Sequence, residues 1–163
     1  MDIKIRELSQ VDNSQFRELW THGLTENDEY FRTSILDDPT PDIPTDFNED
    51  SFTLGAFAGD ELVGILSLKR DVKVKLSHKA LLFAMYVLPS LGRNGLGKML
   101  LEAAIVKARQ NPFIRQLYLT VLSSNVRARN LYSSFGFEVY ANEPKSVMIN
   151  GEYVDECRMV LFV

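Results

Sequence analysis

Hydrophobic residues fall in two rhythms along this chain, strict alternation and a helical three-to-four spacing, with one unbroken apolar run between them. Ile3, Ile5 and Leu8, separated by Lys4 and Arg6, predict a short first strand whose charged members suit a sheet edge. Phe16, Leu19 and Trp20 form the apolar face of a helix that Asp12 or Asn13 can cap and Gly23 can end. Thr25 with Asp28 suggests the cap of a second short helix, packed through Tyr30, Phe31 and Ile35. From Asp37 to Asp50 the chain holds Pro39, Pro41 and Pro44 among acids, which reads as an irregular loop. Phe52–Ala58 and Leu62–Leu68 are predicted strands joined at Gly59-Asp60, with a polar link around Asp71 to Lys79 behind them.

The unbroken run is Leu81–Leu88, and a strand apolar throughout is covered on both faces, so it belongs at the centre of a sheet. It passes through Pro89 into the turn Gly92–Gly97 and then a helix to about Gln110, with Leu101, Ala104, Ile105 and Ala108 on one side and Asn111-Pro112 as its stop. Leu117–Val121 predicts another strand. Asn125–Tyr132 predicts a helix closed near Gly136, and Asn150-Gly151 a hairpin turn before a last strand over Tyr153–Leu161. The order is mixed α/β, and the 163 residues are expected to form a single domain with no internal repeat.

Composition narrows the function. A net charge of -4 argues against a nucleic-acid surface. One cysteine and two histidines are too few for an intramolecular disulfide or a His/Cys metal site, so no metal is expected. No apolar run reaches the roughly eighteen residues a membrane span needs, and Met1-Asp2-Ile3-Lys4 does not start a signal peptide. A cytoplasmic protein without a membrane partner is expected.

The glycine-rich turn carries the first chemistry. Gly95 and Gly97 remove side chains where backbone N–H groups must approach a ligand, and the following helix aims its positive end at the same place. That describes an anion site suited to phosphate. Gly92 to Lys98 satisfies most of G-x-x-x-x-G-K-[ST], but Met99 stands where the Mg²⁺-binding hydroxyl belongs. A dinucleotide fingerprint from Gly95 fails at Leu100.

A third pattern fits both this turn and a later block. The strand ending Val87-Leu88-Pro89 followed by Gly95 and Gly97 resembles the V-x-P…R/Q-x-x-G-x-G/A acyl-CoA loop of the GCN5-related N-acetyltransferases (GNAT). Val121, Asn125, Ala128, Leu131, Tyr132, Gly136 and Phe137 resemble the same family's V-x-x-x-N-x-x-A-x-x-L-Y-x-x-x-G-F block. The likeness is close over the C-terminal half and lies in element order over the N-terminal half. It implies a GNAT-like fold with a mostly antiparallel central sheet flanked by helices, acetyl-CoA as cosubstrate, and direct acetyl transfer to a primary amine of a small molecule or a peptide. A homodimer stays open. The alternatives are a CoA-binding sensor without catalysis and a P-loop nucleotide-binding protein.

The resemblance also distributes roles. Gly92, Arg93, Asn94, Gly95, Leu96, Gly97 and Lys98 would hold the CoA phosphates, although Gly92 departs from the family's Arg or Gln, a contact that Arg93 could replace. The backbone of Met85, Tyr86 and Val87 would face the thioester, the strand splaying from its neighbour there. Asn125 and Tyr132, seven apart, share a helix face with the small Ala128 between them, and Tyr132 would act on the departing thiolate. Tyr132 beside Leu131 also suits a core position. No acid lies between Leu81 and Leu88, so the base is unassigned. Glu26, Asp28 or Glu29 could serve through a water, or the amine could arrive neutral. His22 and His78 read as surface residues and Cys157 as a buried thiol. Glu26, Asp28, Glu29 and Tyr30 are the expected acceptor-side residues, and the nine acids between Glu26 and Asp50 against the lone Arg32 suggest a field that draws cationic acceptors.

Overall fold

Seven strands build one sheet in the computed structural model, which describes residues 1–163. They are β1 (Ile3–Glu7), β2 (Ser51–Ala58), β3 (Glu61–Arg70), β4 (Lys79–Val87), β5 (Gln116–Leu122), β6 (Glu138–Ile149) and β7 (Glu152–Phe162), in the order β1-β2-β3-β4-β5-β7-β6. Every pairing is antiparallel except β4 with β5. The apolar run therefore lies in the middle strand, and the charged first strand lies at an edge, as the pattern predicts. Three helices flank the sheet: α1 (Asn13–Glu26), α2 (Leu96–Gln110) and α3 (Val126–Ser134). No helix is long and apolar enough to cross a membrane.

The sheet separates two apolar clusters. The larger joins Leu96, Leu100, Leu101, Ala104 and Ala108 of α2 to Leu54, Leu66, Leu68 and Leu119 of the sheet, with Tyr132 of α3 in it. The smaller joins Phe16 and Leu19 of α1 to Phe57, Leu62, Ile65 and Tyr86. Strands β2 and β3 are buried almost end to end because both clusters cover them.

Helix α1 departs from expectation in three places. It continues through Gly23 to Glu26, because Gly23 makes room for an aromatic ring: a Cβ there would lie 3.0 Å from Cγ of Tyr86. Thr25 starts no second helix; its hydroxyl donates to the carbonyl of Thr21, and the chain leaves α1 through a short 3-10 turn at Asp28–Tyr30. Neither Asp12 nor Asn13 caps α1 through its side chain: the Asn13 amide bridges to Asp42 and Ile43, while the buried Asp12 carboxylate accepts from Arg6 and from the Ser9 N–H.

The Arg6 guanidinium pulls the Asp12 carboxyl down to about 2 from an ordinary 3.8. A depressed folded-state value stabilises the fold above the unfolded one, and the gain disappears as pH falls through about 2. With Arg6 half exposed to screening water, it amounts to about 1–2 kcal/mol. Asp12→Asn should flatten the loss of stability between about pH 4 and pH 2, read from urea midpoints at each pH, while losing stability at neutral pH.

Candidate active site

An irregularity in the middle strand opens the site. Between the partners Ser67↔Phe83 and Ile65↔Tyr86, strand β4 carries one residue more than β3, and Ala84 takes a left-handed φ of 48°. Such a bulge switches the side-chain alternation. Leu82 accordingly packs on the α2 side and Tyr86 on the α1 side, whereas an even strand would put both on one face. Strands β4 and β5 pair only at Lys79–Leu81 with Gln116–Tyr118. Beyond that they separate, and Leu82–Val87 and Leu119–Leu122 become opposite walls of a cavity of about 890 Å³.

At one end of this cavity lies the N-terminus of α2. Gly95 has a φ of 74°, a conformation that L residues avoid, and both Gly95 and Gly97 line the cavity with Lys98. The free N–H groups of the first helical turn and the helix dipole favour an anion there. Of the expected loop residues, Gly92 also lines the cavity, whereas Arg93 and Asn94 point to solvent and Leu96 is sealed in the core. Arg127 of α3 occupies the space a side chain at Gly92 would take: its guanidinium donates to the Gly92 carbonyl and passes 2.7 Å from where a Cβ of residue 92 would be. The sequence pattern singled out Asn125 and Ala128 and passed over this arginine, because its partner lies thirty-five residues away.

The remaining expected residues meet in the middle. Asn125 caps α3 by accepting from the Ala128 N–H at 3.2 Å, and Asn125, Ala128, Leu131 and Tyr132 all line the cavity. Tyr132 donates its hydroxyl proton to Sδ of Met85 at 3.3 Å across the gap between α3 and β4. A thioether is a weak acceptor, so this proton has no strong partner in the protein. Burial pushes the Tyr132 phenol up to about 12.

The α1 side of the cavity is aromatic. Trp20, Tyr30, Phe31 and Tyr86 line it, with Phe31 edge-on to Trp20 at 5.2 Å and to Tyr86 at 5.9 Å. The Tyr86 hydroxyl donates to Oδ1 of Asn27 at 2.8 Å and lies 2.9 Å from Nδ1 of the exposed His22, so His22 is tied to the cavity wall through Tyr86. Tyr30 lies where it is expected, but Glu26, Asp28 and Glu29 do not line the cavity. Three acids of the following loop are paired: Asp42 with Arg17, Asp46 with Lys69 at 3.6 Å and Asp50 with Arg70 at 2.8 Å. The carboxylate that does line the cavity is Glu156 of β7, faced by Arg32. Cys157, its neighbour, is a buried thiol 3.3 Å from the Ser123 hydroxyl, on the opposite side of the sheet.

Comparison with known proteins agrees with this geometry. The profile described as "Acetyltransferase (GNAT) family" matches residues 6–137. The uncharacterized N-acetyltransferase YvbK of Bacillus subtilis (strain 168) is 31% identical over 121 residues, covering 73% of this chain and 74% of that one. The spermidine N(1)-acetyltransferase of Thermoplasma acidophilum is 26% identical over 166 residues, covering 94% and 99%. Among solved structures, yncA of Salmonella typhimurium with its cofactor acetyl-CoA shares the fold at a TM-score of 0.78 and 18% identity, over 99% of this chain and 94% of that one.

Proposed function

The chain belongs to the acetyltransferase (GNAT) family, and we propose that it moves the acetyl group of acetyl-CoA directly onto a primary amine of a small molecule or peptide. The observation that carries this reading is the gap between β4 and β5, which leads from the α2 N-terminus past Tyr132 to the aromatic α1 side. The cavity suits the cosubstrate: backbone N–H groups, Lys98 and Arg127 offer positive charge at one end, and the apolar walls suit a pantetheine arm.

Acetyl-CoA supplies an acetyl group already activated as a thioester. The chain's part is to hold it and to manage charge. Gly95 and Gly97 let phosphate reach the helix N–H groups, and backbone along Met85–Val87, which has no partner on the β5 side, faces the thioester carbonyl as oxyanion develops. The amine attacks the carbonyl carbon, the carbon–sulfur bond breaks, and the departing sulfur accepts a hydrogen bond from Tyr132. The attacking nitrogen becomes cationic as it bonds to carbon, and the proton it then loses balances the thiolate. Screening an amine library for thiol release from acetyl-CoA tests the reading, and an intact thioester with every amine would reject it.

Arg127 gives a sharper check on the donor end. Arg127→Ala should weaken acetyl-CoA binding by about tenfold or more, the worth of one charge-assisted hydrogen bond. Binding of S-acetylpantetheine, which lacks the CoA phosphates, should not change. Equal losses for both ligands in titration calorimetry would mean that Arg127 supports the wall and touches no phosphate.

A further inference from the structure

Glu156 stands out as a charged side chain in a place that normally excludes one. It is 1% exposed, on β7 beside Leu122, at the end of β5 where the cavity is open. Cys157 and Met159 of the same strand pack into the α2-side core, so alternation turns Glu156 toward the α1 side and its aromatic wall. The Ser146 hydroxyl donates to its Oε1, and Nη2 of Arg32 lies 3.4 Å from that same oxygen. Oε2 accepts no hydrogen bond. Glu156 itself lines the cavity.

A buried carboxylate needs a close cation to repay its lost hydration. Arg32 is a poor one: its side chain is 59% exposed, and it belongs to the irregular segment after the 3-10 turn. The other cationic groups of the lining, Lys98 and Arg127, belong to the α2 end. The cavity thus holds one carboxylate oxygen that accepts no hydrogen bond, and its lining includes Trp20, Tyr30, Phe31 and Tyr86, rings whose faces attract alkylammonium groups. An anion seated on Arg32 would meet Glu156 as a like charge.

We propose that Glu156 is the specificity residue for the acceptor, holding at Oε2 a second ammonium group of an aliphatic diamine or polyamine while its other end reacts, and that this ammonium displaces Arg32. The proposal rests on the N-acetyltransferase reading above. It deepens that reading by naming the acceptor class and the carboxylate that selects it. The held ammonium stays protonated, so Glu156 anchors and does not act as the base.

The test uses cadaverine and n-hexylamine, equal in length but ending in an ammonium or a methyl group, with the full chain and acetyl-CoA. Kcat/KM for thiol release should favour cadaverine by about tenfold or more, the worth of a hydrogen bond to a charged group. Glu156→Gln keeps the shape and the Ser146 contact, and it should erase that preference through KM without changing acetyl-CoA affinity. Arg32→Ala should lower KM for cadaverine, since the competing guanidinium is gone. A preference that survives Glu156→Gln, a parental preference for hexylamine, or a KM for cadaverine that rises in Arg32→Ala overturns the proposal. If neither amine releases thiol, calorimetry of cadaverine on the acetyl-CoA-loaded protein decides. Binding abolished by Glu156→Gln upholds the anchor while the transfer reading fails, and no binding to the parent overturns the anchor itself.

Discussion

Gly97→Val is expected to cost the protein its hold on acetyl-CoA, by about tenfold or more in the dissociation constant, with the fold retained. A Cβ at this position would lie 3.3 Å from both Cδ2 of Leu131 and Cε of Met85. Those are the tips of flexible side chains, so the protein can yield by a few tenths of an ångström, and its melting temperature should fall by only a few degrees. Leu131 and Met85 are also walls of the cavity, so the shift that relieves the fold reshapes the site, and the valine methyls occupy the approach to the α2 N–H groups. Gly95→Val offers the contrast. No atom lies within 4 Å of a Cβ there, but the backbone φ of 74° strains any branched residue, so this variant loses stability as well as affinity. If folded Gly97→Val bound acetyl-CoA as tightly as the parent in calorimetry, the glycine turn would not be the phosphate site.

The turn could be read from the sequence because its signals are local: two glycines two residues apart, an apolar strand before them and an amphipathic helix after. The α2 boundary at Gln110 is local in the same way, set by Asn111-Pro112. What the sequence hid lies between distant residues. Gly23 reads as a helix stop until Tyr86, sixty-three positions on, is seen to occupy the space a side chain would need. The nine acids from Glu26 to Asp50 read as a negative field because only Arg32 opposes them in their own stretch, yet Arg17, Lys69 and Arg70 reach Asp42, Asp46 and Asp50 from α1 and β3. Glu156 follows Asp155 in the last strand next to a core cysteine, and nothing local to it marks it as a residue of the cavity. The bulge at Ala84 and the separation of β4 from β5 open the cavity that it lines. Hydrophobic periodicity gave no sign of that extra residue, since Leu81–Leu88 is apolar on both parities.

Tyr132→Phe should lower kcat by about a hundredfold to ten-thousandfold, the usual worth of a positioned proton donor, with acetyl-CoA affinity and melting temperature nearly unchanged. The ring makes the packing contact, edge-on to Phe137 at 5.9 Å, and phenylalanine preserves it. What is lost is the hydroxyl, whose partner in the protein is the weakly accepting sulfur of Met85. Burial raises the phenol to about 12, and even a free phenol is a weaker acid than a thiol, so full proton transfer to the thiolate is uphill. On the proposed mechanism Tyr132 is thus expected to donate a hydrogen bond as negative charge gathers on sulfur and not to release its proton in advance. The sign of the pH dependence follows. A group that must stay protonated and titrates near 12 imposes no fall in kcat on the alkaline side up to about pH 10, and the rising limb below belongs to the amine losing its proton. The parent should thus show a rise to a plateau. Tyr132→Phe should show the same shape at a lower height, because the titrating group is in neither case the phenol. A descending limb between pH 8 and 10 that vanished in Tyr132→Phe would show instead that the phenol ionises in the working range. Parental kcat in the variant, with the chemical step rate-limiting, would reduce Tyr132 to a core residue.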